Sequence, residues 1–114
     1  MILPIHFIVD SLIYIIFNKT EFIHVTSTDL ILIFSASLID LDHLFSKPIY
    51  KPGRDSFKTH FLHKRWHLIL LLAIVILFFR KISFLGIGLI SHLFLDYIDN
   101  KINYTFKLYP ILNK

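Results

Sequence analysis

Apolar residues are gathered into four segments of this 114-residue chain, with polar breaks between them. The segments cover residues 2–17, 25–45, 62–79 and 84–98. Each is at least 15 residues long and shows no alternation of apolar and polar positions, whereas strands usually run about four to eight residues. The pattern therefore predicts an all-α protein, a compact antiparallel bundle of four short transmembrane helices that forms one domain over residues 1–114.

The composition favours a membrane environment for these helices. Hydrophobic residues make up 55% of the chain and charged residues 18%, and the mean hydropathy is +0.67. A small soluble domain would need more polar surface than this. However, a spanning helix needs about 20 apolar residues, and the longest run without a charge or histidine is 68–79. The polar helix ends must then lie at the interface or face one another, and a soluble four-helix bundle is the alternative.

Histidine and aspartate residues lie near the same ends of the four segments. If the helices alternate in direction, the start of the first, the end of the second, the start of the third and the end of the fourth all meet at one face. Asp29 is the exception, at the opposite face, where we also place His24 as a surface residue. The residues predicted to share one layer are His6, Asp10, Asp40, Asp42, His43, His60, His63, His67, His92 and Asp96.

The spacing of these residues strengthens the prediction. His6 and Asp10 are four apart, as are the pairs at 63 and 67 and at 92 and 96, while residues 40 and 43 are three apart. Residues at these separations share one helix face. The chain has no cysteine, so any metal must use nitrogen and oxygen ligands, which suit zinc, manganese or iron. Ionisable groups inside membrane segments mark functional sites, and we predict a divalent metal, with zinc preferred.

The basic residues predict the orientation of the protein. Nine of the twelve Lys and Arg residues fall on the predicted face of the His/Asp layer, and such an excess marks the cytoplasmic side. We therefore expect a multi-pass protein of the inner (cytoplasmic) membrane with both termini in the cytoplasm. The basic residues form no nucleic-acid stripe, so the expected partners are membrane lipid and, through the small-residue face of Gly86, Gly88 and Ser91, a second copy or another membrane protein.

Three stretches carry a family resemblance: Leu-Ile-Asp-Leu-Asp-His-Leu at 38–44, Thr-His-Phe-Leu-His at 59–63 and Gly-Ile-Gly-Leu-Ile-Ser-His-Leu-Phe-Leu-Asp at 86–96. Together they resemble an uncharacterised family of small bacterial membrane proteins. That family is distantly similar to the LexA-regulated membrane-bound metal-dependent hydrolases, which resemble zinc-dependent phospholipase C. The resemblance implies that the metal ligands are His43, His60, His63, His92 and Asp96.

Two functions follow as expectations, and whether the chain is an enzyme stays open between them. In the first, a metal-dependent hydrolase cleaves a phosphoester or lipid head group at the cytoplasmic face, with Asp40 or Asp42 as general base. In the second, a structural His/Asp metal site fastens a non-enzymatic membrane subunit or partner-binding module. A metal or proton pathway ranks last, because the opposite helix halves are apolar. The remaining candidates are His6, Asp10 and His67 as additional metal ligands and Arg54, Lys58 and Arg65 for phosphate.

Overall fold

A computed structural model describes residues 3–45 and 55–112, and it contains helices and turns but no strand in these ranges. Four helical segments are long enough to build a bundle, which confirms the all-α prediction. The helices in chain order are α1 (Leu3–Thr20), α2 (Ser27–Ser35) with a 3-10 extension (Ala36–Phe45), the single turn α3 (Ser56–Thr59), a 3-10 turn (His63–Arg65), α4 (Trp66–Leu77), a 3-10 turn (Arg80–Ile82) and α5 (Ser83–Leu112).

Helix α5 lies against α1, α2 and α4 and is the centre of the bundle. Two glycines let the neighbouring helices approach closely. A Cβ atom at Gly86 would stand 2.7 Å from the carbonyl oxygen of Ala73 in α4, and one at Gly88 would stand 2.6 Å from that of Ile33 in α2. Both glycines are buried, so the small-residue face predicted for the last helix is used for packing within the chain.

Asp29 secures the end of the bundle opposite the predicted layer. It forms a capping box with Thr26, whose amide donates to Asp29 Oδ2 at 2.9 Å, and such caps stabilise a helix start by about 1 kcal/mol. The Arg80 guanidinium donates to both carboxylate oxygens, at 3.1 and 3.2 Å. The buried carboxylate of Asp29 is thus paired with a cation and with the helix start.

The first helix ends at Thr20 and not at residue 17, and the second segment is α-helical only to Ser35. Two other helix boundaries differ more from the sequence prediction. The third helix begins at Trp66 and not near residue 62, because His63–Arg65 forms a separate 3-10 turn. The last helix continues to Leu112, well beyond residue 98. Its polar continuation is held by side-chain contacts, since Asn100 Nδ2 donates to Asp55 Oδ1 at 3.1 Å and Asn103 Nδ2 donates to Asp99 one turn earlier at 3.4 Å.

One helix in the described part of the chain is long and apolar enough to cross a membrane, over Arg80–Phe106. A core helix of a soluble protein can meet the same criteria of length and composition, but only 33% of the apolar 18-residue part of this helix is buried in the bundle. Helix α4, with 12 residues, is about 18 Å long, which is short of the roughly 30 Å hydrocarbon layer. The prediction of four transmembrane helices is therefore supported for one helix and stays a prediction for the others.

Candidate metal centre

Four side chains from different parts of the sequence meet inside the bundle: Asp40, His63, His92 and Asp96. One donor atom from each lies within 4.8 Å of the other three. His63, His92 and Asp96 are buried, while the side chain of Asp40 is 15% exposed. The donor group is therefore largely buried, with the Asp40 side chain as its most exposed member.

The local backbone explains how each donor is positioned. Asp40 lies in the 3-10 extension of α2, and His63 begins the 3-10 turn that leads into α4. His92 and Asp96 are one turn apart on α5, so both point into the bundle. Three helical segments thus contribute to one site, and the predicted up-and-down order brings them together at the same end.

The separations between donor atoms fit a four-coordinate ion. His92 Nε2 lies 3.2 Å from Asp40 Oδ1 and 3.3 Å from Asp96 Oδ2, and His63 Nε2 lies 2.7 Å from Asp96 Oδ2 and 3.9 Å from Asp40 Oδ1. Ligands about 2.0–2.1 Å from a tetrahedral zinc are roughly 3.3 Å from one another. The observed distances lie around this value.

The chemistry of the group also fits a metal ion. His92 Nδ1 has no hydrogen-bond partner in the part of the chain that the structure describes, although the residue is only 2% exposed. A buried polar group without a partner is costly and calls for an explanation such as a bound ion. Two imidazoles and two carboxylates suit zinc, manganese or iron. The four residues could therefore hold a divalent metal, whose identity this donor set does not decide.

Further predicted residues surround the four donors. The His6 ring stacks on the His92 ring with centroids 4.0 Å apart, and His6 Nε2 lies 3.4 Å from Asp96 Oδ1. Asp10, one turn further along α1, is 2% exposed and accepts a 3.4 Å hydrogen bond from Ser91. His60 is buried with its ring centroid 5.7 Å from that of His63. The structure thus gathers these residues into one layer.

Other candidates lie away from this layer. His67 is exposed and its ring packs edge-on against Trp66, at 5.9 Å. It does not share a face with His63, because the 3-10 turn separates the two residues. Lys58 is 83% exposed and lies 3.9 Å from Asp55, and Arg65 is exposed. The Arg65 guanidinium lies 5.0 Å above the Phe61 ring. The predicted Arg54, and the side chains of Asp42 and His43, fall outside the described residues.

The structure adds two features to the prediction. Asp40, predicted only as a base, lies among the possible ligands, and its three-residue spacing from His43 was the available signal. Phe57 packs edge-on against His63 at 6.1 Å and lines a groove of about 490 Å³ between α4 and α5. No polar pattern marks this groove in the sequence. Its walls are formed by Phe57, Trp66, Leu70, Ile90, Leu93, Phe94 and Tyr97.

Fold and site together define a class: a small all-helical protein with a buried His/Asp group that could bind a metal. The sequence model of DUF6122, a family of unknown function, matches residues 1–103, and the chain belongs to this family. The predicted membership of an uncharacterised family is thereby confirmed, while the similarity to LexA-regulated hydrolases finds no support in the match. No curated protein and no solved structure matches the chain.

Proposed function

We propose that this protein is a membrane-embedded metal-binding protein, and that its metal centre hydrolyses a phosphoester or lipid head group at the cytoplasmic face. The observation that carries the proposal is the meeting of Asp40, His63, His92 and Asp96 at donor separations suited to one divalent ion. Charged and polar groups are expensive to bury, and a bound cation offsets that cost for all four at once.

The distribution of apolar side chains supports the membrane part of the proposal. Polar residues dominate the largest fully buried side chains, whereas Leu71 is 60% exposed and Phe78 is 85% exposed. A soluble protein rarely exposes apolar surface on this scale, but lipid is a suitable solvent for it. The excess of Lys and Arg at the end that carries the metal centre favours the multi-pass arrangement with both termini in the cytoplasm.

The exposure of Asp40 supports catalysis over a purely structural role. A structural site is normally closed by protein ligands, while a catalytic site keeps a position open. Here the Asp40 side chain is 15% exposed, although its Oδ1 atom, which faces the histidines, is buried. A bound metal would lower the pKa of a water molecule and polarise a phosphoryl oxygen. Lys58 and Arg65, both exposed beside the helical turns that precede α4, would attract the phosphate.

Asp96 and Asp40 have different roles in this proposal. Asp96, which is 2% exposed and contacts three histidines, holds the ligand set together. Asp40 stands at the open edge, so it can either bind the metal or accept a proton from water, but not both at once. If Asp40 is a ligand, Asp42 remains the proposed base.

A second candidate function is a structural clasp within a membrane subunit. The observation in its favour is the small apolar core: the buried hydrophobic residues of the described chain are Ile33, Ala36, Ile39, Ala73, Ile76, Phe84 and Leu93. A metal that joins three helical segments would then supply much of the stability.

One experiment separates these functions. Protein purified in detergent would be loaded with zinc or manganese and desalted, and its metal content measured by mass spectrometry. Release of head group or phosphate from phospholipid micelles and from a generic phosphodiester would then be followed. We expect bound metal, and turnover that is lost with a chelator and in Asp40→Asn but kept in the matched Asp99→Asn variant.

The other outcomes are equally informative. Stoichiometric metal without turnover on any of these substrates, together with a lower melting temperature after chelation, would replace the hydrolase proposal by the structural clasp. A protein that binds neither metal above background would overturn both functions.

A further inference from the structure

We propose that the centre holds a second divalent cation, bound between α1 and α5 by His6 and Asp10, with Asp96 shared between the two ions. The inference rests on the proposed metal centre and goes beyond it, because His6 and Asp10 lie outside the group of four close donors. It makes the site a two-metal centre and not a single ion with neighbouring polar residues.

His6 provides the first argument. Its side chain is 1% exposed, and its Nδ1 atom has no hydrogen-bond partner among the described residues. Leaving a buried polar group unpaired costs about 1–3 kcal/mol, so a ring placed there without a ligand would be a net loss. Its Nε2 lies 3.4 Å from Asp96 Oδ1, which is close to the separation of about 3.3 Å between neighbouring ligands of a tetrahedral zinc.

The orientation of Asp96 provides the second argument. Its Oδ2 atom lies 2.7 Å from His63 Nε2 and 3.3 Å from His92 Nε2, on the side of the first ion. Its Oδ1 atom is the one that lies near His6. The two carboxylate oxygens of Asp96 therefore lie near different histidines. This arrangement is required if one carboxylate bridges two ions that lie side by side.

Charge balance provides the third argument. Asp10 is 2% exposed and follows His6 by one turn, so its carboxylate is on the same face of α1. Asp10, Asp40 and Asp96 carry three negative charges when ionised, and one divalent cation neutralises only two. A second cation leaves a single positive charge, which would favour an anionic phosphoester as the ligand that completes the site.

The test is the number of metal ions per chain. Detergent-purified protein would be stripped, loaded with excess zinc, desalted and analysed for zinc and protein content, with circular dichroism as the check of folding. We expect two zinc ions in the unmodified chain, one in His6→Ala and in Asp10→Asn, and two in the matched control His24→Ala, whose histidine is exposed.

Several results would overturn the inference. One zinc per unmodified chain would do so while leaving the proposed metal centre intact, and zinc absent altogether would remove both. Two ions retained in both His6→Ala and Asp10→Asn would show that α1 contributes no ligand. If both variants keep their helical spectrum but lose every ion, His6 and Asp10 belong to a single joint site, which also contradicts a separate second ion.

Discussion

Gly88 controls the distance between α2 and α5, and replacing it by alanine should weaken both the fold and the metal centre. The added Cβ would stand 2.6 Å from the Ile33 carbonyl oxygen and 2.7 Å from the Ala36 Cβ atom, about 0.8 Å inside the 3.4 Å at which ordinary contact begins. Overpacking of this kind costs about 1–3 kcal/mol, and the better helix propensity of alanine returns about 1 kcal/mol. We therefore expect a net loss of up to about 2 kcal/mol.

The separation of α2 from α5 that this substitution forces should also move the proposed metal ligands. Asp40 lies four residues beyond Ala36 in the same 3-10 helix, and His92 lies one turn beyond Gly88 in α5, so separating the helices lengthens the 3.2 Å distance between Asp40 and His92. Metal sites tolerate errors of only about 0.2 Å in ligand distances. We expect zinc affinity to fall by about ten- to a hundredfold, the range found for outer residues of metal sites.

Two measurements in detergent test this reasoning: thermal unfolding followed by circular dichroism, and competition for zinc against a chromophoric chelator. Thr105→Ala is the matched control, because Thr105 is exposed on the same helix and makes only a local hydrogen bond to Lys101. The control should leave zinc affinity unchanged. A Gly88→Ala protein that melts at the same temperature as the unmodified chain and binds zinc equally well would refute the argument.

Three further predictions concern the two ends of the bundle. His92→Ala should remove the ion held by the four close donors whereas His24→Ala leaves zinc content unchanged, measured by elemental analysis; equal zinc contents in the two variants would contradict the assignment. Chelation should lower the melting temperature of the unmodified chain more than that of His92→Ala. Asp29→Asn and Arg80→Gln should each lower the melting temperature, because each weakens the hydrogen bonds of 3.1 and 3.2 Å between the Arg80 guanidinium and the buried Asp29 carboxylate; an unchanged melting temperature in both variants would contradict this role.

Much of the site could be predicted because it depends on chain direction more than on exact helix geometry. Segments of alternating direction bring Asp40, His63 and His92 to one end whatever the precise helix boundaries are. The four-residue spacing of His92 and Asp96 was also sufficient to predict that they share one helix face, since both residues lie within the regular part of α5.

The same spacing failed where the helix is not an α-helix. His63 and His67 share a face only if the intervening residues have 3.6 residues per turn, and the 3-10 turn between them has three. The pairing of Asp29 with Arg80 could not be predicted from the sequence pattern either. Arg80 is distant in sequence, and its distance from Asp29 depends on how α5 packs against α2. The groove beside Phe57 arises from the shapes of two packed helices and leaves no periodic signal.

The contribution of α5 to the metal centre has a consequence for how the protein is made. Translation delivers the chain from its N-terminus, and two of the four close donors, His92 and Asp96, are on the last helix to emerge. Until then His6, Asp10 and Asp40 have no complete ligand set. Under the proposed function, metal loading would therefore follow the synthesis of α5, and a chain interrupted before residue 92 would lack two of its four close donors.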